Sequence, residues 1–199
     1  VRDVARVLGP DGEWHVIGVA LPTGGAAGTV LAKATADDYD LAYLPISSSV
    51  YLSVASMVEG GTAPTLAAFG PDGTVQCYDF SVNDFMYGSI VVPSDALSNA
   101  DGVFSVDWTT DGTDTENVKW EIIYTIAQPG EAFGSEVTLE IESAGPGVAW
   151  ELVSDDSSAQ TLPEPSSVIS FRLRRITNGG TDNADAVFGL SLNLSYTRV

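Results

Sequence analysis

The chain reads as an all-β protein, an antiparallel β-sandwich of the jelly-roll kind, preceded by a short N-terminal docking and stalk segment. Three observations predict this. From Ile46 onward apolar and polar residues alternate with period two in short runs. Gly, Pro, Asn and Asp turn signals bound those runs at intervals of about 8 to 20 residues, the spacing of a sandwich. Beyond the first ten residues no segment carries a convincing helical period.

The organisation follows as residues 1-45, an attachment and stalk segment, and 46-199, the sandwich. At the start, Val1, Val4, Ala5 and Leu8 fit one short helical face that Gly9-Pro10 must end. Trp14 to Leu21 read as a strand, Pro22 to Gly28 as a Gly-rich corner, and Thr29 to Leu31 as a β-type run. So small a segment, with few large apolar groups, closes no core alone and should pack on other copies or a neighbour. In the sandwich, strands are expected near Val50–Val58, Val75–Val82 and Tyr87–Val92, then at Phe104-Val106-Trp108. The longest stripe is Val118, Trp120, Ile122, Tyr124 and Ile126. It is followed by Val137-Leu139-Ile141, Val148-Trp150-Leu152, Ile169-Phe171-Leu173 and the closing run Phe188 to Tyr196. Gly70-Pro71-Asp72-Gly73 and Thr177-Asn178-Gly179-Gly180 have tight-turn chemistry, while Asp111–Asn117, Ala144–Gly147 and Ser154–Pro165 read as longer polar loops.

Composition narrows the function classes. The 199 residues hold 27 Asp plus Glu against 8 Lys plus Arg, a formal charge of −19. That charge repels nucleic acid and anionic membranes, so neither is an expected partner. Between Lys33 and Lys119 there is no positive charge. No run approaches the ~18 apolar residues of a membrane span, and no targeting segment is visible, so no membrane insertion is expected. The lone Cys77 excludes an intrachain disulfide or a thiolate zinc site.

Two stretches carry a resemblance. Residues 21 to 40, LPTGGAAGTVLAKATADDYD, place a Gly-rich turn before a GxVLxK strand, a small-residue spacer and a DYD ending, with Tyr43 just beyond. This is similar to a short module of bacteriophage tail and head fibres, where it occurs in intertwined trimers. The second stretch runs from Val92-Pro93 through Asp107-Trp108-Thr109 and Asn117-Val118-Lys119-Trp120-Glu121-Ile122-Ile123-Tyr124 to Gly130-Glu131-Ala132-Phe133. It resembles a phage structural domain, a jelly roll like the trimers of tumour necrosis factor and C1q. The resemblance implies a homotrimer on the virion surface. Closed symmetric assembly would also cover an apolar sheet face. Val30, Leu31, Tyr39, Trp108, Trp120 and Tyr124 are the expected trimer-packing residues, with filling of the monomer's own core as the alternative for each aromatic stripe.

Little in the chain points to catalysis. His15 is the sole imidazole, Cys77 sits in an alternating strand, and the carboxylate pairs Asp155-Asp156 and Glu131 with Glu136 are of a kind that 27 acids produce by chance. Asp111, Asp114 and Glu116 offer oxygen ligands for calcium on one loop without EF-hand spacing. Phosphate loops, dinucleotide fingerprints and zinc patterns are absent, and no cofactor is expected. The expectation is a non-enzymatic phage virion structural protein: a trimeric capsid decoration (cement) protein or head fibre. Val1, Arg2, Val4, Arg6 and Leu8 would dock on the major capsid protein or other virion proteins. The alternatives are a tail fibre or receptor-binding protein contacting a host glycan or receptor, and a carbohydrate-binding β-sandwich module.

Overall fold

The computed structural model describes residues 5–8, 14–17, 29–33 and 41–198, with side chains from 46 to 198. The chain divides into two compact units, Val1–Pro45 and Ile46–Val199. In the first unit, β1 (Ala5–Leu8) pairs antiparallel with β2 (Trp14–Ile17), and β3 (Thr29–Lys33) with β4 (Leu41–Pro45). The helix expected over the first residues is therefore not formed where the structure describes them. Ala5 faces Ile17 and Leu8 faces Trp14 across a ladder. A helix of two turns does not persist alone, whereas Val7, Val16 and Ile17 are β-branched and gain a paired strand.

The second unit is an antiparallel β-sandwich of two sheets. The first holds β5 (Ser47–Ser53), β7 (Thr65–Phe69), β8 (Val75–Asp79), β10 (Asp101–Thr110), β13 (Val153–Asp156), β14 (Gln160–Thr161) and β16 (Val187–Thr197). The second runs β12 (Val137–Ala144), β11 (Asn117–Ala127), β15 (Val168–Ile176), β9 (Phe85–Val91), β6 (Val58–Glu59). Take β5, β9, β10, β11, β12, β13, β15 and β16 as first to eighth. One sheet then reads first, eighth, third, sixth and the other second, seventh, fourth, fifth. That alternation between sheets is the winding of a jelly roll. The β7–β8 hairpin extends the first sheet beside the start of β16, and β6 extends the second beside β9.

The period-two stripes face each other between the sheets. Phe104, Val106 and Trp108 come from β10, Trp120, Ile122 and Tyr124 from β11, Ile169, Phe171 and Leu173 from β15, and Leu192 and Leu194 from β16. Phe80 meets Trp120 edge-on with centroids 5.2 Å apart, and Phe104 lies 5.3 Å from Tyr124. Trp108 and Trp120 are 0% exposed and Tyr124 5%. These three side chains thus fill the core of a single chain and leave no surface for a second copy, which corrects their expected place at a trimer contact.

Three local expectations also change. Val148-Trp150-Leu152 is not a strand: Trp150 has φ +67°, and its N–H donates to the Thr110 carbonyl at 2.8 Å. Its ring closes a small cluster with Phe69 and Phe188, at 5.4 and 5.5 Å, on the outer side of the first sheet. The Ser154–Pro165 stretch, expected as a loop, supplies β13 and β14, which pair with β10. β7 was not expected, because Thr65-Leu66-Ala67-Ala68-Phe69 has no alternation. Gly70-Pro71-Asp72-Gly73 does make the tight turn, closed by Gly73 N–H to Gly70 carbonyl at 3.0 Å.

Candidate functional site

The Asp111–Asn117 loop, which carries the calcium candidates, is knitted to residues 183–186. Asp114 accepts from the backbone N–H of Ala184 (2.7 Å) and of Glu116 (2.9 Å), and these bonds hold its carboxyl below the usual range. Asp111 accepts from Ala186 N–H at 3.0 Å, and Asp185 from Asp114 N–H at 2.8 Å. Asn183 donates to the carbonyls of Asp114 and Glu116, both at 3.0 Å. Both carboxylate oxygens of Asp114 and Oδ1 of Asp111, expected as calcium ligands, accept from backbone donors. Among the described residues no three His, Cys, Asp or Glu side chains converge as a metal site.

The carboxylate pair Asp155-Asp156 is split by the pleat, because adjacent strand residues face opposite ways. Asp155 accepts from the Trp108 indole N–H at 2.7 Å and from the Ser143 hydroxyl, and Asp156 from Ser105 Oγ at 2.5 Å. They do not flank a common space. Cys77 donates to the Gly189 carbonyl at 3.5 Å, and burial pushes its thiol up, away from a reactive thiolate. His15 lies on β2 opposite Val7. Of the expected docking and packing residues, Arg6 and Leu8 lie on β1 and Val30 and Leu31 on β3, while Val1, Arg2, Val4 and Tyr39 fall outside the described residues.

The feature with the geometry of a binding site is on the outer face of the five-stranded sheet. Register places Ser89, Ser170 and Thr125 in one row across β9, β15 and β11, with Tyr87, Arg172 and Ile123 in the next. The small hydroxyl side chains make a floor and the larger row a wall. Two adjoining depressions result, of about 220 and 300 Å³, sharing Tyr87 and Ser170. The first reaches Thr125 and Glu136, the second Val58, Ser56 and Leu52 at the sheet edge. Tyr87 lines both, 46% exposed, beside the exposed Val58 with which it pairs. Thr125 donates to the Gly134 carbonyl at 2.8 Å, which ties the Gln128–Glu136 loop, with its exposed Phe133, to the end of the groove.

Arg172, which lines the first depression, is held by its neighbours on the same sheet face. Its Nη2 donates to Glu121 Oε1 at 3.1 Å, and its guanidinium lies 5.5 Å over the Phe85 ring. Arg174 reaches the same Glu121 oxygen at 2.9 Å, and Lys119 pairs with Glu140 at 2.8 Å. Arg198 pairs with Asp95, and the buried Arg175 donates to the carbonyls of Phe80 and Asn183. From Ile46 to Arg198, each of the five Lys and Arg side chains is thus paired within the chain. Beneath Tyr87, Gly88 lets the Phe171 ring and Leu52 fill the core: a Cβ there would lie 2.5 Å and 3.0 Å from them.

Sequence reading missed this site because its residues are ordinary in sequence. Ser89, Ser170, Thr125 and Tyr87 come from three strands, and only strand register brings them into rows. The sole signal was the polar and aromatic content of the positions opposite the buried stripe.

No family model matches the chain, and no curated protein matches it. Among solved structures it is similar to a carbohydrate-binding module, CBM36, in complex with calcium and xylotriose: 12% identity, TM-score 0.45, over 73% of this chain and 98% of that one. It is also similar to CBM35 from Cellvibrio japonicus Abf62, at 12% identity and TM-score 0.42, over 76% and 99%. A third likeness is to infectious bursal disease virus Gx strain, at 11% and TM-score 0.40, over 94% of this chain and 38% of that one.

Proposed function

We propose that the protein is a non-enzymatic binding module whose jelly roll holds a carbohydrate in the groove beside Tyr87. The supporting observation is the juxtaposition of a half-exposed aromatic ring with a row of small hydroxyl residues over two adjoining depressions. A sugar presents C–H faces that lie against an aromatic ring and hydroxyls that exchange hydrogen bonds with Ser, Thr and Glu, and shallow polar clefts with an apolar wall suit it. Native gel electrophoresis through gels containing soluble polysaccharides tests this. At least one polymer should retard the chain, and Tyr87→Ala should abolish the retardation while leaving the melting midpoint in place. Retardation unchanged by Tyr87→Ala would refute the assignment.

A second reading concerns where such a module is displayed. The GxVLxK and DYD module at residues 21 to 40 and the stretch from Val92 to Phe133 support a virion-surface protein of a phage. It would be a homotrimeric head fibre or decoration protein, or a tail fibre, attached through Val1, Arg2, Val4, Arg6 and Leu8. Trimeric display multiplies weak contacts through effective concentration. Mass measurement at micromolar concentration should then give three chains per particle, and deletion of Val1 to Pro10 should abolish capsid attachment. A monomer would remove the trimer, and retained attachment the docking role.

A further inference from the structure

We infer, resting on the carbohydrate reading above, that the groove takes an internal stretch of an uncharged linear polysaccharide laid across the strands, rather than a terminal sugar or an acidic chain. Shape supports the first half. The two depressions adjoin, with Tyr87 and Ser170 in the lining of both, and together reach from Val58 on the edge strand β6, with Leu52 of β5 beside it, to Glu136, which directly precedes β12. β6, β9, β15, β11 and β12 are five adjacent strands, so at the usual interstrand spacing the track is ~19 Å long. Its residues line sides and floor. A pocket for one chain end would need a wall across the track, and the rows Ser89–Ser170–Thr125 and Tyr87–Arg172–Ile123 run along it instead.

Charge supports the second half. The chain carries −19, which repels a polyanion before contact. Within the groove, Glu136 adds a carboxylate, and Arg172 is already paired with Glu121 and stacked over Phe85. An acidic sugar would have to draw Arg172 off Glu121, leaving a largely buried carboxylate to Arg174 alone. An uncharged chain needs only hydroxyl exchange with Ser89, Ser170 and Thr125 and a ring face on Tyr87.

The experiment uses the full chain. Retention is measured in gels containing xylan, laminarin, galactomannan or dextran, and in gels containing polygalacturonate or alginate. Oligomers of the retained polymer, with borohydride-reduced ends, are then titrated by calorimetry. Affinity should rise at least tenfold from the dimer to the oligomer that spans the track and level off beyond it. It should be indifferent to end reduction and nearly constant from about 50 to 500 mM NaCl. Val58→Ser, at the edge, should weaken the longer oligomers more than the dimer. Full affinity for a monosaccharide, loss on end reduction, or salt-sensitive retention by the polyanions alone would overturn the inference while leaving carbohydrate binding standing. Retention by none of the polymers would remove the carbohydrate reading itself.

Discussion

Replacing Asp107 by Asn is expected to weaken the sandwich at neutral pH and to make no difference in acid. Asp107 lies on the outer side of β10, where its Oδ2 accepts from Ser191 Oγ at 2.5 Å and from Asn193 Nδ2 at 2.8 Å. Burial alone would raise its carboxyl, but hydrogen bonds from Ser154, Ser191 and Asn193 outweigh it and hold the group below its ordinary value. The amide oxygen of the variant side chain can still accept both bonds, so the loss is the difference between charged and neutral hydrogen bonds. That difference is about 1 kcal/mol each, and about 1–2 kcal/mol for the pair after discounting for solvent screening at a partly exposed site. For a domain of this size the midpoint should fall by roughly 2–8 °C. The pH dependence has a definite sign. A carboxyl with a depressed folded pKa contributes stability that is fully present above the unfolded value, about 3.9, and is lost as pH falls through the folded value. Thermal melts of both proteins at neutral pH and at successively lower pH below about 3.9 check this. Equal midpoints at neutral pH, or a gap that persists undiminished in acid, would refute the reasoning.

The remaining predictions concern the groove's support and the acidic loops. Gly88→Ala should cost about 1–3 kcal/mol in denaturant unfolding, because the added methyl meets the Phe171 ring and Leu52; an unchanged midpoint would contradict the packing beneath the groove. Asp79→Asn should behave opposite to Asp107→Asn. Burial, with Asp111 and Asp84 nearby, raises the Asp79 carboxyl against the pull of the Val187 N–H and Arg175. Folded-state stability at this group is therefore greatest below about pH 3.9 and is lost as pH rises through the folded value, so the variant should gain on wild type as pH climbs toward neutrality. Asp114→Asn should lower the melting midpoint equally with and without a chelator, since its partners are Ala184 and Glu116 N–H groups; a chelator effect on wild type alone would restore the calcium reading.

How much was legible in sequence follows from which forces are local. Period-two stripes such as Val118 to Ile126 and Phe188 to Tyr196 predicted strands because a half-buried strand must alternate. Val118 to Tyr124 and Leu192 to Tyr196 do form core, while past the register shift opposite Asp107 and Trp108 it is Val187 that points inward and Phe188 that joins Phe69 and Trp150 outside. Val148-Trp150-Leu152 alternates too, yet Trp150 turns at positive φ to reach Phe69 and Phe188, a tertiary contact that overrides the pattern. Ala5 to Leu8 fits a helical face, but a strand partner at Trp14–Ile17 decides its state. Asp111 and Asp114 resembled ion ligands because the sequence shows their oxygens and not the distant N–H groups of Ala184 and Ala186 that occupy them. The groove was the least legible part. It depends on which serine stands beside which across three strands, and on Arg172 leaning toward Glu121.

The most direct test of the account is calorimetric titration of the full chain with the polysaccharide that retards it, comparing wild type with Tyr87→Ala and Ser170→Tyr, the second filling the floor between the two depressions. The account predicts that both variants fold with wild-type midpoints and lose affinity by tenfold or more. Wild-type affinity in both would place the binding surface elsewhere on the molecule and contradict the groove.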